Sequence, residues 1–281
     1  MPRLMPRRAW LLWLVGAGLA LLVLGYVGAI RDPLVSHYRV ALPGLQRPLR
    51  LVHLSDIHGS PWDMPEPRIE RIVAQANALK PDVIVITGDF HASKIINPKM
   101  RLEAALRPLT RLAAPLGVWS VPGNHDEPYW IRRVMRRFGL RLLTGALVDV
   151  GPLQIVGADD LILGRNSEAR FAAAAAGAAP GKPVIGLVHE PRLWARLPAN
   201  VNLLLAGHTH GGQIRVAGLP PLPDYYERHR HGLFRNAAGQ AMIVSAGIGT
   251  TFVPIRIGVP PEIVVVELVP QASGRKSGTE R

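Results

Sequence analysis

Residues 203–212 read LLLAGHTHGG, an apolar run that ends in two histidines framed by glycines. A short run of Leu and Ala bounded by Gly is typical of a buried strand that ends in a loop. Because side chains alternate along an extended chain, His208 and His210 point to the same side if the extension continues through Thr209. The glycines would let the backbone approach whatever the imidazoles bind. On its own, a His-x-His pair is weak evidence, since most such histidines are ordinary polar loop residues.

Four other apolar runs in the chain also end in polar residues that can bind a metal. The runs alternate with stretches of helical periodicity, such as 67–79, and this order predicts a parallel or mixed sheet. In open α/β folds, side chains at the carboxyl ends of several strands converge on one edge of the sheet. We therefore expect one shared site. Its candidate residues are Asp56, His58, Asp89, Asn124, His125, Asp126, His189, His208 and His210.

The remaining sequence predicts further elements around this frame. Alternation with glycines over 140–156 predicts a hairpin. Residues 131–138 place apolar side chains on one face and four arginines on the other. This pattern indicates either a surface helix with a solvated basic face or a basic lip beside the site that meets an anionic ligand. The other predicted elements are a helix over 98–114, an Ala-rich helix over 165–179 capped by Asn166 or Ser167, and strands over 242–246 and 262–269.

The composition limits what the site can be. The 281 residues include no cysteine, so a thiolate ligand is excluded and any metal must be held by His, Asp, Asn or Glu. The formal charge of +13 is consistent with nucleic acid, anionic lipid or a phosphorylated substrate as a partner. No basic groove with interleaved aromatic residues is evident in the sequence, so we expect no nucleic-acid partner.

The N-terminal segment has the features of a membrane helix. Residues 9–30 carry no charge, and as a helix they would be about 33 Å long, enough to cross a bilayer core. Two interpretations remain open. One is an uncleaved anchor, which the Leu-rich run favours, and the other is a twin-arginine-like signal starting at Arg7 and Arg8 and cleaved near 27–29. Arginines before the helix predict a cytoplasmic N-terminus, hence a single-pass inner-membrane protein with its main domain outside.

The ordered set of strand-end residues resembles the signature of the calcineurin-like metallophosphoesterases, over about residues 51–215. The resemblance implies an α/β fold, a four-layer α/β/β/α sandwich with two central mixed β-sheets. It also implies two divalent metal ions (Mn, Fe, Zn, Ni or Co) that clamp a phosphoryl group and lower the pKa of a shared water, which attacks in line. By this resemblance, Asp56, His58 and His210 hold one metal, Asn124, His189 and His208 hold the other, Asp89 bridges the two, and His125 is a catalytic residue that binds no metal.

Residues near these positions refine the interpretation. His125 can stabilise developing charge or protonate the leaving oxygen, and Asp126 is a candidate to orient it. Arg256 is a candidate substrate-binding residue that contacts phosphate, with a structural ion pair as the alternative. Phosphoprotein-cleaving members of the family often carry an acid and then an arginine where this chain has Ala92 and Ser93, which argues against a protein phosphatase.

On this basis the chain divides into four parts. Residues 1–31 are the membrane anchor or signal, 32–48 a linker or an edge strand, 49–270 the metallophosphoesterase domain and 271–281 a disordered tail. The anchor and the Gly-Asn-His-Asp box at 123–126 are most similar to a membrane-anchored bacterial branch often described as phosphodiesterases. Some members are linked to hydrolysis of UDP-2,3-diacylglucosamine in lipid A biosynthesis.

The leading hypothesis is a membrane-anchored dinuclear phosphoesterase that hydrolyses a phosphodiester or pyrophosphate bond by a metal-bridged hydroxide. Its expected substrate is a phosphorylated small molecule, either lipid-linked or a nucleotide sugar. The alternatives are a nuclease or protein phosphatase of the same fold, and a non-catalytic metal-binding scaffold. Such scaffolds typically lose ligands, whereas all seven ligand positions are filled in this chain.

Overall fold

The computed structural model describes residues 7–92, 100–164, 166–222 and 227–271. Within them, helices and strands alternate through much of the chain, as the sequence predicts. The helices are α1 (Arg7–Ile30), α2 (Glu66–Ala78), α3 (Leu102–Leu106), α4 (Pro128–Phe138) and α5 (Ser167–Ala176). The strands are β1 (Leu34–Leu42), β2 (Leu49–Leu54), β3 (Val83–Thr87), β4 (Val118–Val121), β5 (Ala146–Asp149), β6 (Gln154–Gly157), β7 (Val184–Leu187), β8 (Leu203–Ala206), β9 (Gly232–Arg235), β10 (Ala241–Val244) and β11 (Glu262–Pro270).

The described strands form two mixed sheets. The first has the order β1-β11-β2-β3-β4, in which β11 runs parallel to β1 and antiparallel to β2. The second has the order β5-β6-β7-β8-β10-β9, with parallel neighbours from β6 to β10 and an antiparallel strand at each edge. The pairing of β5 with β6 confirms the hairpin predicted over 140–156. In each sheet the parallel strands end at the same edge, so the loops that follow them lie together.

Side-chain alternation along the strands divides the apolar residues into three cores. Val85 of β3 and Leu205 of β8 belong to the core between the two sheets. Ile84, one position away from Val85, packs instead with residues of α2 and α4 on the outer face of the first sheet. Leu204 packs with α5 on the outer face of the second sheet. The layers are therefore helix, sheet, sheet and helix, which confirms the predicted α/β/β/α sandwich.

Two predicted helices differ from those observed. The helix predicted over 98–114 begins in residues outside the described part, and the described remainder consists of α3 and a 3₁₀ segment, Arg107–Arg111. Pro108 has no N–H for the bond that would continue the α-helix. For α5, neither predicted cap forms. Asn166 has a left-handed backbone and makes no capping bond, and the Ser167 hydroxyl donates to a loop carbonyl.

The segment before the predicted domain belongs to the first sheet. For 32–48 the sequence left a linker or an edge strand open, and the structure contains the edge strand, since β1 pairs with β11 along its whole length. The sheet therefore begins before residue 49. The tail predicted over 271–281 lies outside the described residues apart from Gln271.

Helix α1 is long and apolar enough to span a membrane. The span covers Trp10–Ile30, and 6% of its most apolar 18-residue window, whose mean hydropathy is 2.2, is buried against the rest of the protein. The buried part is its last turn and a half, where Gly25 and Ala29 lie against the domain. The helix thus has an exposed length and a docked end.

The core between the sheets should dominate the stability of the domain. We expect Leu205→Ala to lower the free energy of unfolding by about 2–5 kcal/mol, because it leaves a cavity where both sheets pack. Guanidinium unfolding of the full chain in detergent, followed by circular dichroism, measures the change. The matched control is Leu219→Ala, which removes an exposed side chain and should cost less than about 0.5 kcal/mol. Equal effects of the two substitutions would contradict this account of the core.

Candidate metal centre

The loops that follow β2, β3, β4, β7 and β8 meet at one edge, between the two sheets. Their backbones are hydrogen-bonded to one another. The Asp56 amide donates to the Gly88 carbonyl at 3.1 Å, and the Gly207 amide donates to the His189 carbonyl at 2.9 Å. All seven residues predicted to bind metal lie in these loops, so the sheet topology brings together what the sequence keeps far apart.

Five of the seven have a left-handed backbone. Their φ angles are 52° at Asp56, 47° at His58, 55° at Asp89, 71° at His208 and 51° at His210. Such values are uncommon for residues other than glycine. The extended conformation that would direct His208 and His210 to the same side does not form. Instead, the two imidazoles lie in two different groups of side chains.

The first group consists of Asp56, His58, Asp89 and His210, all of them buried. One potential ligand atom from each residue lies within 4.8 Å of the other three. The Nε2 atoms of His58 and His210 are 3.1 Å apart, and His58 Nε2 is 3.3 Å from Asp89 Oδ2. His210 Nε2 is 3.5 Å from Asp56 Oδ1. Nitrogen and carboxylate oxygen atoms therefore point at a common centre.

The second group consists of Asp89, Asn124, His189 and His208. Asn124 Oδ1 lies 3.1 Å from His189 Nε2 and 2.8 Å from His208 Nδ1. His189 Nε2 is also 3.1 Å from Asp89 Oδ2, the same oxygen that approaches His58 in the first group. Asp89 is therefore common to both groups.

The pKa shifts favour the metal-binding forms of Asp89, His208 and His210. They act against those of Asp56, whose pKa burial raises, and His189, where the Asp89 carboxylate outweighs burial and raises the pKa well above 6.5. Burial opposes ionisation of Asp89, but the charges and hydrogen bonds of His189 and His58 outweigh it and hold the pKa of that carboxyl well below 3.8. Burial, with the charge of His189, lowers the pKa of His208 to about 3. Burial, with the charge of His58, lowers the pKa of His210 well below 6.5. Near neutral pH, Asp89 is ionised and both histidines are neutral, the forms that ligate metals.

Thr87 orients His189, which sequence reasoning missed. The Thr87 carbonyl lies 2.6 Å from His189 Nδ1, so that nitrogen donates to it and Nε2 is the nitrogen that faces Asp89 and Asn124. A backbone carbonyl can come from any residue type, so no side-chain signal in the sequence could have identified this contact. Only the position of Thr87, the last residue of β3 and two residues before Asp89, places it close to the predicted site.

The catalytic residue predicted beside the ligands, His125, lies at the edge of the first group. Its ring contacts the His58 ring edge to face, with centroids 5.1 Å apart, and its amide donates to Asp89 Oδ1 at 2.9 Å. Burial lowers the pKa of His125 below 6.5, although the charge of Asp89 acts against it. The imidazole is therefore neutral near pH 7 and lies against the ring of His58.

Asp126 supports the backbone of the site rather than the imidazole of His125. Its Oδ2 accepts the amides of Asp89 and Gly123, both at 2.9 Å. Its Oδ1 accepts the Phe90 amide, also at 2.9 Å. With both oxygens occupied by backbone donors, Asp126 holds the loop that carries Asp89, and the prediction that it orients His125 is not what the structure contains.

Arg256 does not take the predicted role of a phosphate contact. Its guanidinium is 2% exposed and donates to the backbone carbonyls of Ala246, Gly247 and Gly249. One of its nitrogens approaches His210 Nδ1 at 3.5 Å, on the side of that ring away from the first group. The donors are occupied by backbone oxygens and not by an acidic side chain, so Arg256 shapes the loop behind His210.

The donor set of the two groups fits a divalent metal. The buried carboxylates of Asp56 and Asp89 approach imidazoles at 3.1 to 3.5 Å. Carboxylate oxygens and neutral imidazole nitrogens together suit borderline divalent ions. The Nδ1 atom of His189 is hydrogen-bonded to the Thr87 carbonyl, and such a bond on the other ring nitrogen is usual for a histidine that binds metal.

Comparisons with known proteins agree with this geometry. The family model of the calcineurin-like phosphoesterases matches residues 49–212. An uncharacterised metallophosphoesterase of Aquifex aeolicus is 33% identical over 78% of this chain and 85% of its own length. The uncharacterised metallophosphoesterase YkuE of Bacillus subtilis is 31% identical over 78% of each chain. A bovine transmembrane protein with a metallophosphoesterase domain is 32% identical over 89% of this chain and 60% of its own.

The family match covers more than half of the chain, and its limits include every loop of the metal centre. The Aquifex relative extends the similarity over most of both proteins. Together with two mixed sheets and their Asp and His residues at one edge, these matches support a metal-dependent phosphoester hydrolase. The chain belongs to the calcineurin-like phosphoesterase family.

Proposed function

We propose that the protein is a dinuclear metal-dependent phosphoesterase that hydrolyses a phosphodiester or pyrophosphate bond. The observation that carries this proposal is the position of Asp89, whose Oδ2 lies 3.3 Å from His58 Nε2 and 3.1 Å from His189 Nε2. One carboxylate is thus placed to be shared by two ions. In this proposal Asp56, His58, Asp89 and His210 hold one ion, and Asp89, Asn124, His189 and His208 hold the other.

The residues around the two ions have separate roles in the proposed reaction. Two divalent ions would supply charge for the phosphoryl oxygens and a lowered pKa for water. Asn124 contributes a neutral oxygen, which limits the negative charge that faces an anionic substrate. His125, neutral near pH 7, can donate a hydrogen bond to the phosphoryl or leaving oxygen. Asp126 keeps the Asp89 loop in place while the substrate turns over.

For the substrate, we propose a lipid-linked or nucleotide-sugar phosphodiester or pyrophosphate, with UDP-2,3-diacylglucosamine as the first compound to test and lipid A biosynthesis as the corresponding pathway. An apolar N-terminal helix supports a substrate near a membrane. We place the protein in the inner membrane with a cytoplasmic N-terminus, since Arg3, Arg7 and Arg8 precede the apolar span Trp10–Ile30. The convergence of all seven predicted ligand residues supports an enzyme over a scaffold that has lost its metals.

Removing the shared carboxylate should remove metal. We expect the full chain, purified in detergent and loaded with manganese, to bind about two ions, and Asp89→Asn to bind no more than about one, since the amide cannot supply a bridging anion. Elemental analysis of the dialysed protein measures the ratio. Asp149→Asn, a change at an exposed aspartate paired with Lys182, is the control and should keep both ions. Two tightly held ions in the Asp89 variant would refute the bridging role.

His125 should contribute to turnover and not to metal binding. We expect His125→Gln to lower kcat by about 10²–10⁴-fold, the usual range for one acid or base group, with an unchanged metal content. The control His37→Gln alters an exposed histidine on the edge strand β1 and should leave kcat unchanged. If His125→Gln turned over at the normal rate, the catalytic role assigned to this residue would be wrong.

The substrate class can be read from metal-dependent turnover. We expect the metal-stripped full chain in detergent to be inactive, and manganese to restore hydrolysis of a chromogenic phosphodiester or of UDP-2,3-diacylglucosamine more strongly than that of a chromogenic monoester. Product release followed by absorbance and mass spectrometry measures each reaction. Turnover of the monoester alone would overturn the phosphodiester assignment. Bound metal without any turnover would favour the non-catalytic scaffold.

A further inference from the structure

The end of α1 is docked directly on the domain and not connected to it by a free linker. The Arg256 amide donates to the Gly25 carbonyl at 2.8 Å, and the Tyr26 hydroxyl donates to the Trp62 carbonyl at 3.0 Å. A Cβ atom at Gly25 would collide with the Ile255 side chain. The helix and the loop 249–258 are therefore in close contact, and the position of one determines the position of the other.

The exposed length of α1 is shorter than a bilayer core. With its last turn and a half docked, the membrane-crossing span of Trp10–Ile30 leaves residues 10–24 projecting from the domain, all of them exposed. As a helix these residues extend for about 22 Å, whereas the hydrocarbon core is about 30 Å thick. The apolar helix matches the full thickness of the core only if its docked end also enters it. The loops packed on that end then lie at the depth of the membrane interface.

Those loops expose large apolar side chains. We call this surface the apolar edge and define it by five residues with their exposed fractions: Trp62 at 51%, Val216 at 42%, Leu219 at 65%, Leu222 at 60% and Phe252 at 38%. Apolar side chains clustered on one surface in this way mark interaction sites on soluble domains. An aromatic residue such as Trp62 is also typical of the membrane interface.

The hydrogen bonds of the loops tie the apolar edge to the docked end of α1. Ile214 forms backbone bridges with both Leu222 and Ile257, and Ile257 lies beside Gly25. Trp62 accepts the Tyr26 hydroxyl through its carbonyl. The loop of Trp62 and the loop 249–258 therefore contact the docked end of α1 directly, and the loop of Leu222 is bonded to the second of them.

We infer that the apolar edge is inserted into the interfacial region of the lipid bilayer that α1 crosses. The bilayer is favoured as the occupant because the edge is continuous with a helix that is itself apolar enough to span it, and because the exposed helix is too short to hold the domain clear of the membrane. Exposed Arg31 follows the docked end of α1 and exposed Arg215 lies in the loop that carries Val216, where both could reach lipid phosphates. This inference rests on the membrane placement of α1 proposed above and not on the proposed phosphoesterase activity.

The absence of cysteine from the chain allows a direct measurement of depth. Single cysteines at Leu219, Leu222 and Phe252 are spin-labelled in the full chain, which is incorporated into nanodiscs of phosphatidylethanolamine and phosphatidylglycerol at one copy per disc. Electron paramagnetic resonance then compares collisions of each label with oxygen, which partitions into lipid, and with a water-soluble nickel chelate. The control label replaces Ile162, which is 53% exposed in a turn that contacts Glu190 and not α1.

We expect the three edge labels to be severalfold less accessible to the nickel chelate than the Ile162 label, and more accessible to oxygen. Circular dichroism and monodisperse elution establish that each labelled protein is folded. Edge labels as accessible to the chelate as the Ile162 label would overturn the inference. Protection that appears only when several copies share one liposome, and is lost at one copy per disc, would also overturn it and identify the edge as a contact between copies.

Discussion

One carboxylate oxygen is placed between two histidines that come from different sheets, and the metal centre depends on this contact. Asp89 follows β3 of the first sheet, and it approaches both His58 of the same sheet and His189 of the second. The shared anion holds the loops of both sheets at one edge despite the repulsion among buried imidazoles. Its ionised form is favoured only because those imidazoles outweigh the cost of burial. The contact that balances the charge of Asp89 against His58 and His189 therefore also fixes how the loops of the two sheets lie against each other.

The left-handed backbone of the ligand loops follows from the same constraint. A left-handed residue other than glycine costs about 1–3 kcal/mol and persists only where its surroundings determine it. The surroundings here are hydrogen bonds that cross between loops. Asp126 accepts amides from both sides of Asp89, and the His208 amide donates to the Asp56 carboxylate at 3.0 Å. Hydrogen bonds from the backbone of one loop to a side chain of another therefore keep these residues in a conformation that they would not adopt alone.

The sequence predicts the strands and the composition of the site well, and the loop geometry poorly. A short apolar run such as 184–188 encodes a buried strand locally, and parallel topology alone brings the polar residues that follow such strands to one edge. The φ angles of His208 and His210 are imposed by neighbouring loops, so no local pattern encodes them. Because both residues are charged, Arg256 was predicted to contact the substrate and Asp126 to orient His125. Their partners are backbone atoms, which a sequence does not distinguish.

The docked end of α1 makes membrane thickness a variable for the protein as a whole. A helix on a long linker tilts without affecting the domain it carries, but only three residues separate α1 from β1. Hydrophobic mismatch would therefore be relieved by moving the helix and the domain together relative to the membrane, or by deforming the loop 249–258. That loop donates the Gly249 amide to the Asp56 carbonyl at 2.6 Å. If α1 spans a bilayer, a change in lipid chain length would therefore act mechanically on a loop bonded to the metal centre.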